Sequence, residues 1–386
     1  MPLYEGIGIG SDKHSVVLEF GQAFTKCGFV SEYSPRAIIR SQVFDSKNNK
    51  MVNIFSITDD KELYRALKQF IRVLYFRYLA VNPKDRRLVI VESIFCSTRF
   101  RNQLLKIQAL LIVPQHLVCL ATLGVSTALV LDVGYNEAIA IPVIEGVTAV
   151  DGLQFAPLGG KSIHFRIMDE LIQRRATIRY TNEEESVISE PLDETLLEDI
   201  KTRTCFVAPF ERGVQLSQQK VDFKEGSAIT GPPNDIKYPL DGQRVLHIPG
   251  SLRESVCEVL FEMYGDEHTI PTLIIDAILK CSVDSRRQLA SNIIVIGGTS
   301  MLAGFRHRLF QELKSLAKSN RFVSKLHFDD FKLHENPCPA NYNSWLGAAI
   351  FASTDIVSTR SVTLEQFIKN KETISDWSDW FPANGR

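Results

Sequence analysis

Three glycine turns carry the residues best suited to chemistry. In VVLEFGQAFTKCGF, from Val16, and in LVLDVGYNEAIAIPV, from Leu129, an apolar run ends in an acid, one further residue and a glycine, and a second apolar run follows. Glu19 with Gly21 and Asp132 with Gly134 therefore stand at equal spacing in two similar hairpins. Adjacent backbone amides in such turns make anion-binding nests. Two copies of one unit, far apart in the chain, suggest a duplicated lobe with the hairpins facing each other across a cleft. Two ordinary glycine turns are the plainer alternative. The third turn lies in IIVIGGTSMLAGF, where an apolar strand runs into Gly297, Gly298 and Thr299 and a helix follows. Glycine lets a ligand approach the backbone, and a hydroxyl beside a helix N-terminus suits a phosphate, or the ribose and adenine edge of a nucleotide. Gly160-Lys161-Ser162 imitates the end of a Walker loop, but Phe155 occupies the place of the first glycine, so it reads as a structural turn.

Strands and helices must hold these turns in place. Runs rich in Val, Ile or Phe at 15–20, 24–30, 37–43 and 87–91 read as strands. Leu63, Leu67, Phe70, Ile71, Leu74 and Tyr78 keep helical spacing, with Asp59 and Glu62 as a capping box and Asn82-Pro83 as the stop. A helix at 196–203 runs into a strand at 205–208, while 179–190 and 224–233 read as surface loops. Strand and helix patterns alternate to the C-terminus, giving an α/β class with helices packed on mixed sheets.

With 386 residues, 45% hydrophobic and 23% charged, the chain is too long for one core and too apolar for disorder. Its 44 Lys plus Arg against 45 Asp plus Glu supply no general field for nucleic acid or anionic lipid. Seven scattered cysteines form no Cys-x-x-Cys pair, which argues for a reducing compartment without a disulfide framework or zinc site. MPLYEGIGIG lacks the features of a signal peptide, so the cytoplasm is the expected location. Residues 107–131 carry no Asp, Glu, Lys or Arg, yet Pro114, Gln115, His116 and Gly124 interrupt them. They divide into a short strand, a helix at 115–123 and a strand at 127–131 rather than a membrane span.

Taken in chain order, hairpin, hairpin and strand-Gly-Gly-Thr is the layout of the actin and sugar-kinase superfamily, and the sequence resembles actin over almost its whole length. The strings CGFVSEYSPRAII, DIKTRTCFVA, YPLDGQ, KCSVDSRRQLASN, IGGTSMLAGF and SWLGAAIFAS carry the likeness. MPLYEG, NPKDRRLVIVES, PLGGKS and YPLDGQRVLHIPGSLRESV make it most similar to the actin-related proteins at the pointed end of the dynactin filament. The resemblance implies a two-lobed fold with duplicated mixed sheet units flanked by helices and a nucleotide cleft between the lobes. It places a first lobe at 1–130 with a small outer subdomain at about 36–87, a second lobe at 131–340, and at 341–386 a C-terminal helix returning to the first lobe plus an aromatic tail. Implied nucleotide-binding residues are Gly21, Gln22, Lys26, Gly134, Lys201, Gly297, Gly298 and Thr299. ATP or ADP would bind, with Mg2+ held indirectly by Asp132 through water. Implied partners are the actin-related filament subunit of dynactin, the other pointed-end subunits and, indirectly, dynein adaptors, in the cytoplasm and cytoskeleton.

Departures from the actin pattern set the expected mechanism. Glu19, Phe20, Gly21, Gln22 and Ala23 replace the first phosphate loop of actins, so its phosphate-capping serine is gone, while Tyr135 and Asn136 replace Asp-Gly in the second. Thr202 stands where actins have a glutamate beside Lys201. Gln115 falls at the position of the water-ordering glutamine, but Ile139 falls at that of the histidine, and isoleucine neither orients water nor relays a proton. No enzyme activity, or low turnover at most, is expected. The span between Pro35 and Leu88 is shorter than in polymerising actins, and residues 45–51 are polar and too short to project into another subunit. Tyr342 to Ser353 and Lys280 to Asn292 stay close to actin, leaving one kept face and one blunted face, as a filament terminator needs. Asp376, Trp377, Ser378, Asp379, Trp380 and Phe381 either anchor a partner or fold back. The alternatives are an ATP-hydrolysing actin or sugar-kinase-like enzyme, and an actin-related subunit of a nuclear chromatin-remodelling complex.

Overall fold

Every residue of strand β1 (Val16–Phe20) is buried, because both faces of its sheet are covered. Val16, Leu18 and Phe20 enter one core with Phe70, Phe100 and Leu104, whereas Val17 enters another with Val89, Val91, Val113, Trp345 and Ala348. That split is the period-2 alternation of a strand between two helical layers. The computed structural model describes residues 14–46, 49–107, 110–180, 185–188, 190–221, 231–262, 268–355, 357, 360–362 and 369. The opening MPLYEG, part of the 45–51 segment, most of the 224–233 loop and the aromatic tail lie outside the described residues. The chain divides into two compact units, 1–124 with 342–386, and 125–341.

In the first unit, β1 pairs antiparallel with β2 (Phe24–Phe29), and β2 with β3 (Ala37–Arg40). The expected strand at 37–43 breaks at Ser41 and resumes as β4 (Gln42–Asp45), which pairs with β5 (Lys50–Asn53) in a separate hairpin. Helix α1 (Asp60–Val73) starts at Asp59, whose side chain accepts from the Glu62 amide, and buries Leu63, Ala66, Leu67, Phe70 and Ile71. Its α-form ends at Val73, ahead of the expected stop at Asn82-Pro83; a π-helical turn runs to Leu79, and left-handed Ala80 (φ 55°) ends it. Then come β6 (Leu88–Glu92), parallel to β1, α2 (Thr98–Leu105), β7 (Leu110–Pro114), parallel to β6, and α3 (Gln115–Ala121). A C-terminal helix at Asn343–Ala352 packs on α3 and β1, so Trp345 is fully buried and its indole donates to the Val17 carbonyl at 3.0 Å.

The second unit repeats the plan. β8 (Ala128–Val133) forms an antiparallel hairpin with β9 (Ala138–Ile144), extended by β10 (Val147–Thr148) and β11 (Gln154–Ala156), both antiparallel to β9. Helix α4 (Gly160–Gln173) precedes β12 (Thr177–Tyr180), β13 (Glu185–Val187) and α5 (Glu194–Thr204). β12 and β13 make an antiparallel hairpin at the edge of a small sheet, where a surface loop was expected. The expected strand at 205–208 is irregular chain with no strand partner among the described residues; Phe206 and Val207 donate to the carbonyls of Arg253 and Ala303. After α6 (Phe210–Val221), β14 (Ile236–Pro239), β15 (Arg244–Ile248) and α7 (Gly250–Ser255), α8 (Ile270–Lys280) and α9 (Val283–Ala290) lead to β16 (Ile293–Ile296), parallel to β8, and α10 (Phe305–Ala317). In each unit an antiparallel hairpin is joined to a later parallel strand, as the duplicated sequence pattern requires. Among the described residues no helix is long and apolar enough to cross a membrane, and 107–131 resolves mainly into β7, α3 and the start of β8.

Candidate functional site

The two hairpins close alike. The Gly21 amide donates to the Phe24 carbonyl at 3.1 Å, and the Gly134 amide to the Glu137 carbonyl at 3.0 Å. A Cβ on Gly21 would stand 2.7 Å from that same Phe24 oxygen, so the tight turn demands glycine. The base of the β4–β5 hairpin steadies the first turn: Ser41 Oγ donates to the Gly21 carbonyl at 2.6 Å, and Asn53 Nδ2 to the Gln22 carbonyl at 2.8 Å. Glu19 faces Lys26 across the strands, and Lys26 Nζ donates to Glu19 Oε1 at 2.6 Å. The other oxygen, Glu19 Oε2, is buried with no hydrogen-bond partner among the described residues.

Superposing the two patterns by register explains a substitution. Lys26 is the cross-strand partner of Glu19, and Ile139 is the cross-strand partner of Asp132. The position that carries an ammonium in one hairpin thus carries a buried isoleucine in the other, paired on its far side with Phe155 of β11. An aliphatic side chain there supplies neither donor nor acceptor to a water molecule.

Gly134, Tyr135, Lys201 and Gly297 to Thr299 converge in the second unit. Gly160 at the head of α4 donates to the Gly134 carbonyl at 3.1 Å, and Lys161 to the Tyr135 carbonyl at 2.8 Å. Thr299 Oγ1 donates to the Gly134 carbonyl at 2.6 Å, so it braces the turn rather than standing open. Gly297, at φ 94°, could carry no side chain: its Cβ would meet the Val133 carbonyl at 2.3 Å and Asp132 Oδ1 at 2.5 Å. Gly298 faces open space, with its nearest neighbour 4.0 Å from a hypothetical Cβ. Lys201 Nζ, the Tyr135 ring and Thr299 Oγ1 all lie 3.0 to 3.2 Å from the point a Cβ on Gly160 would take. Glycines at 160 and 297 let the Lys201, Tyr135, Thr299 and Asp132 side chains close in on one another, and of the three glycines Gly298 alone leaves its backbone open to a flat polar group such as the sugar and base side of a nucleotide. Neither turn favours a phosphate: Gln22 and Ala23 of the first offer no hydroxyl, and Tyr135 adds a ring to the second.

Sequence reasoning missed His164 and Glu198. Glu198 Oε2 accepts from Lys201 Nζ at 2.6 Å and lies 3.0 Å from His164 Nε2. His164 Nδ1 is 3.4 Å from the Tyr135 hydroxyl, and the two rings meet edge to face at 5.5 Å. Burial works to raise the Glu198 carboxyl, but the His164 imidazole 3.0 Å away and the Lys201 charge outweigh it and pull it down to about 2. Glu198, one turn before Lys201 on α5, is the carboxylate that pairs with this lysine, while Thr202 Oγ1 donates to the Glu198 backbone carbonyl at 2.9 Å. The i, i+3 spacing of Glu198 and Lys201 was the available signal.

A carboxyl held below its ordinary value adds stability above the unfolded pKa, near 4.5, and loses it as pH falls toward about 2. Glu198→Gln is therefore expected to lower stability at neutral pH by about 2 kcal/mol, discounted for partial exposure. The difference from wild type should shrink as pH falls below 4.5 in chemical denaturation series. A gap that stays constant with pH would remove the ion pair as its cause.

Gln115 opens α3 in the first unit, immediately after Pro114 ends β7. His116 beside it is buried, and burial lowers its pKa to about 4, so it is a neutral helix residue at physiological pH. In Gly160-Lys161-Ser162, Ser162 Oγ accepts from the Gly159 amide at 3.4 Å and donates to the Pro157 carbonyl at 2.9 Å, a helix-capping arrangement. Among the described residues no group of three or more His, Cys, Asp or Glu side chains could hold a metal ion.

Comparison with known proteins agrees with this architecture. The profile of the family described as Actin matches residues 10–370. A protein called actin-related protein 10, from Dictyostelium discoideum, is 26% identical over 439 aligned positions, covering 95% of this chain and 89% of that protein.

Proposed function

The chain belongs to the actin family, and from that premise we propose that it is a non-polymerising subunit that caps the pointed end of the dynactin filament. There it helps build the pointed-end complex used in dynein-driven, microtubule-based transport. The observation that carries this reading is the β4–β5 hairpin. Its strands have four residues each and Asp45 pairs directly with Lys50, so nothing long enough to seat in a further subunit emerges from it. A heterologous contact repeated without closure gives an open filament, and a chain that keeps one face and lacks the other ends it. The kept segments are the C-terminal helix of the first unit and α9 of the second, where the sequence stays closest to actin. The choice of dynactin rests on NPKDRRLVIVES, PLGGKS and YPLDGQRVLHIPGSLRESV, with the similarity to an actin-related protein 10 in support.

The subunit is not an ATPase in this reading. Ile139 cannot position water opposite Asp132, and positioning supplies most of the catalysis in phosphoryl transfer. A bound ATP or ADP, held on the Gly134, Lys201 and Gly297–Thr299 side, acts as a staple that stabilises the folded chain by mass action. Asp132 would hold Mg2+ through water, and the ion would neutralise phosphate charge.

Adding the purified chain to growing filaments of the actin-related subunit is expected to stop pointed-end elongation at substoichiometric ratios, while labelled ATP in the same mixture yields no phosphate attributable to this chain. Incorporation of the chain along the filament would overturn the cap. Phosphate release above a no-protein control would return Gln115 to the centre of a mechanism.

A further inference from the structure

Helix α1 buries Leu63, Ala66, Leu67, Phe70 and Ile71 in the core it shares with β1 and turns a different chemistry to solvent. Lys61, Arg65, Lys68 and Arg72, at i, i+4, i+7 and i+11, form one exposed line on the opposite side. At about 1.5 Å per residue the line is about 16 Å long. The two acids of the helix, Asp60 and Glu62, sit in its first turn, where they complement the helix dipole, and none follows between Leu63 and Asn82. Asp60 is taken by Arg99 at 2.9 Å. Among the described residues none of the four cations of the line has an ion-pair partner.

Aromatic rings are interleaved with these charges. Lys68 Nζ lies 5.9 Å from the Tyr64 ring centre, the Arg72 guanidinium 6.0 Å from Phe76, and the Arg77 guanidinium 5.7 Å from Tyr78. Phe76 is 60% exposed and Val73 38%. β4 packs against α1, and its hairpin exposes the cross-strand pair Phe44 and Met51, which are 49% and 55% accessible. A helix face that is merely solvated mixes both signs and avoids large apolar groups. This one carries a single sign with exposed aromatic surface at its end.

We propose that the exposed face of α1, with Phe76, is a docking surface for an acidic polypeptide segment that also carries apolar side chains. Charge complementarity selects the acid, and Phe76 with Val73 selects the apolar component. A line one helix wide and about 16 Å long matches an extended or helical peptide. A bilayer or a nucleic-acid duplex calls for a broader positive field, which a chain of net charge −1 does not supply. The proposal goes beyond the filament-end reading and does not depend on it.

The test is fluorescence anisotropy with the full chain and a labelled synthetic peptide of glutamates with leucine and phenylalanine at helical spacing. Arg65→Glu/Lys68→Glu/Arg72→Glu is expected to weaken binding at least about 10-fold, and Phe76→Ala about fivefold, with unchanged thermal midpoints. A control with the same charge change at exposed Lys237, Lys314 and Lys332 should bind within about twofold of wild type. Equal binding by wild type and the α1 variant, or an equal loss in the control, would overturn the proposal. So would tighter binding to phosphatidylserine vesicles or to duplex DNA than to the peptide. None of these results depends on filament capping, so failure here and failure of the cap are told apart.

Discussion

Arg308→Met is expected to destabilise residues 125–341 by about 3–5 kcal/mol, because it strands a buried carboxylate. Arg308 Nη1 and Nη2 donate to the two oxygens of Glu258 at 3.0 and 2.8 Å, and Nε donates to Glu312 at 2.8 Å. The Arg308 and Glu258 side chains are 3% and 0% exposed, so solvent cannot take over the lost bonds. Burial pushes the Glu258 carboxyl up, and Arg308 opposes that shift. With methionine in its place nothing nearby opposes it, the folded chain holds a proton that the unfolded chain releases, and stability falls further as pH rises between about 5 and 8. Arg308→Met/Glu258→Leu removes both charges and should recover most of the loss. Hydrogen exchange within the second unit and denaturant titration across pH measure both effects. A loss below about 1 kcal/mol, or one without pH dependence, would mean that the pair is not the tie it looks to be.

The pair bears on function through what it holds. Arg308 Nη1 also donates to the Ala208 carbonyl at 3.0 Å, fixing the irregular segment that leaves α5, and Arg253 Nε holds the Thr204 carbonyl at 2.9 Å just before it. α5 carries Glu198 and Lys201, while α10, which bears Arg308, follows the Gly297–Thr299 turn. Gly213 is glycine for the same reason, since a Cβ there would stand 2.0 Å from Arg308 Nη1. Relaxing the pair should therefore loosen the Lys201 side of the site as well as lower stability.

The paired hairpins and the Gly-Gly-Thr turn were legible because tight turns leave a local signature, an acid, a glycine and flanking apolar runs, that needs no tertiary information. Helix α1 was legible for a similar reason: Asp59 caps it and its apolar spacing is regular. What stayed hidden depended on partners distant in sequence. The 205–208 segment has the composition of a strand, but Arg253, Ala303 and Arg308 satisfy its backbone in place of a neighbouring strand, and hydropathy reports burial without naming the donor. The β12–β13 hairpin looked like a loop because its exposed edge is polar, as edge strands tend to be. His164 gave no signal, since a single histidine in an amphipathic helix acquires meaning only when α5 brings Glu198 to its imidazole.

Trp345 shows how far one side chain can reach along the chain, and Trp345→Ala is expected to cost the first unit about 3–5 kcal/mol for the lost packing. The indole is fully buried in the C-terminal helix and donates across the sheet layer to Val17 of β1 at 3.0 Å. Its ring shapes its surroundings: a Cβ on Gly28 of β2 would stand 2.7 Å from Trp345 Cζ2, so β2 carries glycine where the ring passes. Two residues on, a Cβ on Gly347 would meet the Val118 carbonyl at 2.0 Å, so the helix approaches α3 backbone to backbone. A single helix thereby sets the position of both strands of the first hairpin, whose turn contains Gly21 and whose strands hold Glu19 and Lys26. Trp345→Phe keeps most of the ring and loses the hydrogen bond, and should cost about 1 kcal/mol beyond the difference in packing. Hydrogen exchange should then speed up at β1 and β2 in Trp345→Ala, while protection of β8, β9 and β16 holds. Uniform loss of protection across both units would contradict this, because it would make Trp345 a determinant of global stability rather than of the hairpin it touches.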